Sequence, residues 1–147
     1  ALAEEQRLPQ VLKAFIPEHH GTAEITYFLE RAKQNGEIPD DQLYLYRYPG
    51  PRPRSAETAV CMLADGVEAA LRVLDEPSPK KVRAAIDHVV NQRIESRQLD
   101  EAPLTLAQVE TVKESFVRTL SGMYHNRLDY PEEAGGITAD WQGDSET

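Results

Sequence analysis

Apolar residues recur along this chain at the three-and-four spacing of an α-helix, and nowhere do they alternate clearly enough to suggest a strand. Leu8, Val11, Leu12, Phe15 and Ile16 form one stripe, with Pro9 suited to an early helical turn, Pro17 disturbing the end and Gly21 stopping the helix. Thr22 reads as the N-cap of a second helix that carries Ile25, Phe28, Leu29 and Ala32 and stops at Asn35-Gly36. Residues 37–54 read as a long connection. Its stretch Arg47-Tyr48-Pro49-Gly50-Pro51-Arg52-Pro53-Arg54 cannot be helical, because three prolines remove amide donors and fix φ, so it is expected to be extended.

Ser55 then caps the longest apolar helix, expected from about Ala56 to Leu74. Ser78-Pro79 opens another, in the favoured order of cap then proline, with Val82, Ala85, Ile86, Val89 and Val90 on one face. Thr105 with Gln108 reads as a capping box before a helix that shows Val109, Val112, Phe116 and Leu120 and is expected to end near Gly122. There is no internal repeat, and the fold class is all-α, with about five helices.

Length and charge narrow the function classes. The 147 residues suit one domain able to bury a real core. No apolar run approaches the roughly 20 residues of a membrane helix, so the chain itself is expected to be soluble. The net charge is −9, and from Asp129 to Thr147 there are six acids and no base. Residues 132–147 are accordingly expected to be an acidic, disordered tail after a domain spanning 1–131. Binding to nucleic acid is not expected of so acidic a chain. Cys61 is the only cysteine, so no internal disulfide forms.

Three side chains stand out as metal-ligand types: His19 and His20, bracketed by Pro17 and Gly21, and Asp65 in the helix 63–69. Asp65 lies about 150° from the centre of the face made by Val60, Leu63, Ala64, Val67, Leu71 and Leu74. It is either a surface acid or an acid on a helix with two buried sides, the second made of Ala59, Met62, Ala69 and Ala70. Adjacent histidines point about 100° apart on a regular helix, so sharing a metal requires a break, which the bracketing residues supply. The alternative is a helix-terminal pair set against the dipole and free carbonyls. His88 reads as exposed, and His125 as a cap or core-edge donor. The arginines of 47–54 and the nearby tyrosines suit phosphate and base contact, or lie over the helices in solvent.

Several segments together resemble the intracellular HD hydrolase domain of seven-transmembrane bacterial receptors. They are Ile16-Pro17-Glu18-His19-His20-Gly21-Thr22, Arg47-Tyr48-Pro49-Gly50-Pro51, and Leu63-Ala64-Asp65-Gly66-Val67-Glu68-Ala69-Ala70. Leu104-Thr105-Leu106 and His125-Asn126-Arg127-Leu128-Asp129-Tyr130-Pro131 look like that family's closing segments. The resemblance implies an HD-domain-like helical bundle and hydrolysis of cyclic di-AMP to its linear dinucleotide. It implies two divalent metal ions, iron or manganese, that activate water against phosphorus in the complete domain. His19, His20 and Asp65 match the family's late ligands, and Thr22, Arg47 and Tyr48 would lie near the substrate.

The family's earlier ligands would precede Ala1, and no His-Asp dipeptide occurs here. The resemblance is therefore to the C-terminal portion of the domain, with its N-terminal part missing. Such a piece is expected to hydrolyse little by itself and to bind metal weakly or not at all. The parent chain is expected to be membrane-embedded, with this portion on the cytoplasmic side. The alternatives are a non-catalytic helical module for homodimerisation or partner binding, and an HD hydrolase of another nucleotide.

Overall fold

The computed structural model describes residues 2–36, 38–75 and 77–128. The expected acidic tail and the closing segment from Asp129 lie outside them, as does the side chain of His125. Among the described residues the chain forms six α-helices and one 3-10 segment, with no named strand. The helices are α1 (Leu2–Glu5), α2 (Gln10–Glu18), α3 (Thr26–Asn35), α4 (Ala56–Arg72), α5 (Pro79–Glu95) and α6 (Leu106–Leu128), and the 3-10 segment is Asp40–Tyr46.

The core forms where α5 packs between α4 and α6. Leu63, Val67 and Leu71 of α4 meet Val82, Ile86, Val89 and Val90 of α5 and Val109 of α6, with Val112, Phe116 and Leu120 packed beside them. These residues recur at helical spacing, so each helix presents one continuous apolar stripe. Ser55 and Ser78 cap α4 and α5, accepting from the amides of Thr58 and Lys81. Thr105 and Gln108 form the expected reciprocal pair at the start of α6: the Thr105 amide donates to Gln108 Oε1 (2.8 Å) and the Gln108 amide to Thr105 Oγ1 (3.2 Å).

Three expectations, on Thr22, on the end of α4 and on the end of α6, are corrected. Thr22 does not cap the second helix. That helix begins at Thr26 with Ile25 in the cap position, because Thr22 is bonded to Gln98 instead. The connection after α3 contains a 3-10 turn, entered through Pro39, whose φ of −58° suits it. Helix α4 ends at Arg72, two residues short of Leu74. Helix α6 passes through Gly122 to Leu128, since a lone glycine costs a helix only about 1 kcal/mol.

The second side of α4 is half as expected. Ala59 and Met62 are buried beneath the turn after α2, whereas Ala69 is exposed. Ala64, placed by spacing on the core face, is exposed as well. The apolar stripe of α2 also remains open: Val11, Leu12 and Ile16 are 72%, 51% and 56% exposed.

Replacing Ile86, which is fully buried between α4 and α6, by alanine should lower stability by about 3 kcal/mol in urea unfolding. Val73→Ala, at a site 79% exposed, should change it by less than about 0.5 kcal/mol.

Candidate functional site

The end of α2 is held against the start of α4 by a buried carboxylate. Glu18 is the last residue of α2, and its Oε2 accepts from Thr58 Oγ1 (2.7 Å) and from the Arg54 amide (3.0 Å). Thr58 also closes the capping pair with Ser55. The carboxylate therefore sits at the positive end of α4, where dipole and donors both favour its charge. A buried hydrogen bond to a charged group contributes about 1.5–3 kcal/mol. This contact fixes the histidines, which follow Glu18 directly, relative to the helix that carries Asp65.

The next residues turn sharply. Gly21 has φ +56°, and a Cβ there would lie 2.5 Å from Met62 Cε and 2.7 Å from Gln98 Oε1. Gln98 is itself buried. Its Oε1 accepts from the Thr22 amide (2.9 Å), and its Nε2 donates to Ser96 O (3.1 Å). The histidine turn is thus bound to α4 through Glu18 and to the segment after α5 through Gln98.

That frame brings His20 and Asp65 together across forty-five positions of sequence, with Nδ1 and Oδ2 3.6 Å apart. His20 stacks on Tyr48, with ring centroids 4.1 Å apart, and lies against His19 at 3.8 Å. His19 Nδ1 is 2.6 Å from Phe15 O and donates to that carbonyl, which leaves Nε2 as the ring nitrogen not used in this contact. Burial pushes the His20 pKa below 6.5, the neighbouring His19 adds to the shift, and Asp65 opposes it. A neutral imidazole is the form that ligates a metal.

The site borders a cavity of about 390 Å³ that His20, Tyr48, Asp65 and Arg93 help to line. Arg93 comes from the last turn of α5 and crosses α4 where Gly66 leaves room. A Cβ on Gly66 would stand 2.9 Å from Val89 Cγ1 and 3.5 Å from a terminal nitrogen of Arg93. Burial lowers the Arg93 pKa, and the charges of Asp65 and Tyr48 work against that shift.

Imidazole with carboxylate is a donor set that divalent first-row metals accept. Among the described residues, however, no three or more His, Cys, Asp or Glu side chains group closely enough to hold an ion. The described residues present metal donors without a closed metal site.

With this geometry in hand, comparison places the chain. It is 33% identical over 127 residues, or 86% of its length, to the cyclic-di-AMP phosphodiesterase PgpH of Bacillus subtilis. It superposes on the crystal structure of the L. monocytogenes PgpH HD domain with a TM-score of 0.76 and 31% identity, covering 84% of this chain and 57% of that one. For the same domain in complex with cyclic-di-AMP the TM-score is 0.78 and the identity 32%, with 84% and 56% covered. No family model matches the chain.

By sequence and by fold the chain is similar to the HD domain of these proteins. It spans about one sixth of the length of the curated relatives it matches (17% of the Bacillus protein). The relatives it matches are HD-domain phosphodiesterases, a class that implies dependence on divalent metal ions in those proteins.

Of the residues singled out from sequence, His19, His20, Asp65 and Tyr48 come together. Arg47 stands apart: it is exposed, bonded to Glu24 Oε1 (3.0 Å), and lines a neighbouring cavity with Thr22. His88 is exposed, as expected, although it reaches the rim of the His20 cavity. Sequence reasoning passed over Glu18, Thr58, Arg93 and Gln98. Glu18 had one available signal, a carboxylate next to the histidine pair. The other three act across long sequence separations that no local pattern records.

Gly21→Ala should destabilise the protein by about 3 kcal/mol in urea unfolding, from left-handed strain plus overpacking against Met62. His20 should titrate below 6.5 when its ring is followed by NMR. Because the folded value is the depressed one, its neutral form stabilises the fold above about pH 6.5, and that contribution is lost as the pH falls through the folded pKa.

Proposed function

We propose that this chain is the C-terminal part of an HD-type, metal-dependent phosphodiesterase domain that hydrolyses cyclic di-AMP. In it, His19, His20 and Asp65 are metal ligands, and Tyr48, Thr22 and Arg47 face the substrate. The observation that carries this reading is the meeting of His20 with Asp65 at 3.6 Å, in a fold shared with an HD domain solved with cyclic-di-AMP.

The roles follow from the geometry. His19 keeps one ring nitrogen on the Phe15 carbonyl and offers the other. His20 has its pKa lowered by burial and lies flat against Tyr48. Asp65 supplies the carboxylate oxygen. When bound, two divalent ions (iron or manganese) would neutralise charge that grows on the phosphoryl oxygens. They also account for an acidic protein accepting a dianion. The remaining ligands come from the rest of the domain, of which this chain spans 57% in the solved relative. On the same reading the parent is membrane-embedded, with the domain on the cytoplasmic side, where a nucleotide messenger would be met.

The exposed apolar stripe of α2 favours a second reading, a module that pairs with another copy of itself. We place the rest of the HD domain on that stripe instead, since the solved relative is longer than the part this chain matches and so has further domain with which to cover it in cis.

The full-length protein, assayed with manganese, should cleave cyclic di-AMP to the linear dinucleotide. His20→Ala and Asp65→Ala should each lower kcat at least a hundredfold, whereas His88→Gln should stay within about threefold. The 147-residue chain alone should show little or no turnover. Full turnover by the His20 and Asp65 variants would sink the assignment, and a metal-free dimer of the 147-residue chain that buries α2 would favour the pairing module.

A further inference from the structure

Helix α5 ends in a doubly bonded turn. The Gln98 amide donates to Arg93 O (2.9 Å) and the Arg97 amide to Ile94 O (2.9 Å). Together they are the six-to-one and five-to-two bonds of a helix stop that needs one residue in the left-handed region. Glycine usually fills that place. Here it is Arg97, at φ +60°. A side chain there is strained, and such strain persists only where the surroundings over-determine it.

The stop aims the residue that follows. Gln98 is 3% exposed, and both ends of its amide are bonded. Oε1 accepts from the Thr22 amide (2.9 Å), while Nε2 donates to Thr22 Oγ1 (3.1 Å) and to Ser96 O (3.1 Å). With both Nε2 hydrogens used and Oε1 taken, the side chain has no donor left for a ligand. Thr22 stands two residues past His20, and Gly21 between them lies directly against Gln98 Oε1. The same connection reaches the other flank of the histidines. Arg54 Nε donates to Glu101 Oε2 (3.1 Å), and the Arg54 amide is one of the donors to Glu18. That ion pair is exposed and holds little by itself, so the grip on the turn falls to Gln98.

We propose that Gln98 is a positioning residue for the histidine turn. It fixes the backbone on the C-terminal side of His20, and so the direction in which the two imidazoles are offered to a metal ion, without touching metal or substrate itself. Groups that orient metal ligands in this way carry about ten- to a hundredfold of metal affinity or activity. The inference rests on the metal-dependent reading above and adds to it a residue that tunes the site from the far end of α5.

The test uses the full-length protein. Manganese binding is read by electron paramagnetic resonance of the free ion, and cleavage of cyclic di-AMP is followed beside it. Gln98→Met keeps the length of the side chain and removes its hydrogen bonds, and should weaken manganese binding about tenfold. At saturating manganese its KM for cyclic di-AMP should stay within about twofold of wild type. Arg97→Gly, which keeps the left-handed turn and relieves the strain, should bind manganese within about twofold of wild type. So should Ile86→Ala, which weakens the core away from the turn. Circular dichroism checks the fold of each variant. If Gln98→Met does not fold, Gln98→Glu, of equal length and with an acceptor for the Thr22 amide, decides instead, with a loss of about threefold expected.

Unchanged manganese binding in the Gln98 variant, an equal loss in Ile86→Ala, or a raised KM at saturating manganese would overturn the positioning role. A wild-type protein that binds manganese and leaves cyclic di-AMP intact sinks the substrate reading alone, and manganese binding still decides Gln98. A wild-type protein that binds no manganese overturns both.

Discussion

The site depends on one buried contact, the acceptance by Glu18 Oε2 of hydrogen bonds from Thr58 and from the Arg54 amide. It couples the last residue of α2 to the first turn of α4. The residues it positions flank it in sequence: His19 and His20 follow Glu18, and Asp65 lies seven residues, about two helical turns, beyond Thr58. Because helices are stiff over that distance, fixing one end of α4 against the histidine turn fixes the carboxylate as well. Gly21 makes the arrangement possible, since only a residue without a side chain fits between Met62 and Gln98 at positive φ.

Around this contact the molecule divides its labour. The α4–α5–α6 layer supplies the apolar burial and holds no metal-ligand type in its core. The α2 turn and the proline-rich segment lie over the other side of α4 and carry the polar chemistry. Tyr48 reaches His20 because residues 46–48 run beside 23–25: the Ile25 amide donates to Tyr46 O and the Tyr48 amide to Ala23 O. The extended proline segment thereby gains backbone partners that its own sequence cannot supply.

The incomplete donor set and the open apolar stripe of α2 point the same way. Two converging donors and a histidine beside them are suited to finish a metal site that other residues begin. An apolar helix face left in solvent is suited to receive a packing partner. The histidines and the stripe lie on or directly after α2, and on the reading proposed above that helix is the seam of the domain.

The sequence by itself determined the helices and their caps, because a 3.6-residue stripe and a Ser or Thr with its partner three residues on are local signals. Ser55, Ser78 and the Thr105–Gln108 pair needed no tertiary information. It also supplied the identities of the metal-ligand types and the break that would let two adjacent histidines turn apart. It misplaced the start of α3, because Thr22 looked like a cap until Gln98, seventy-six residues away, claimed its hydrogen bonds. Only the tertiary structure decided that His20 faces Asp65, that Arg47 is spent on Glu24, and that Arg93 crosses at Gly66. Each is a contact between elements far apart in the chain. Such contacts are set by how whole helices pack, and no spacing rule within one element encodes them.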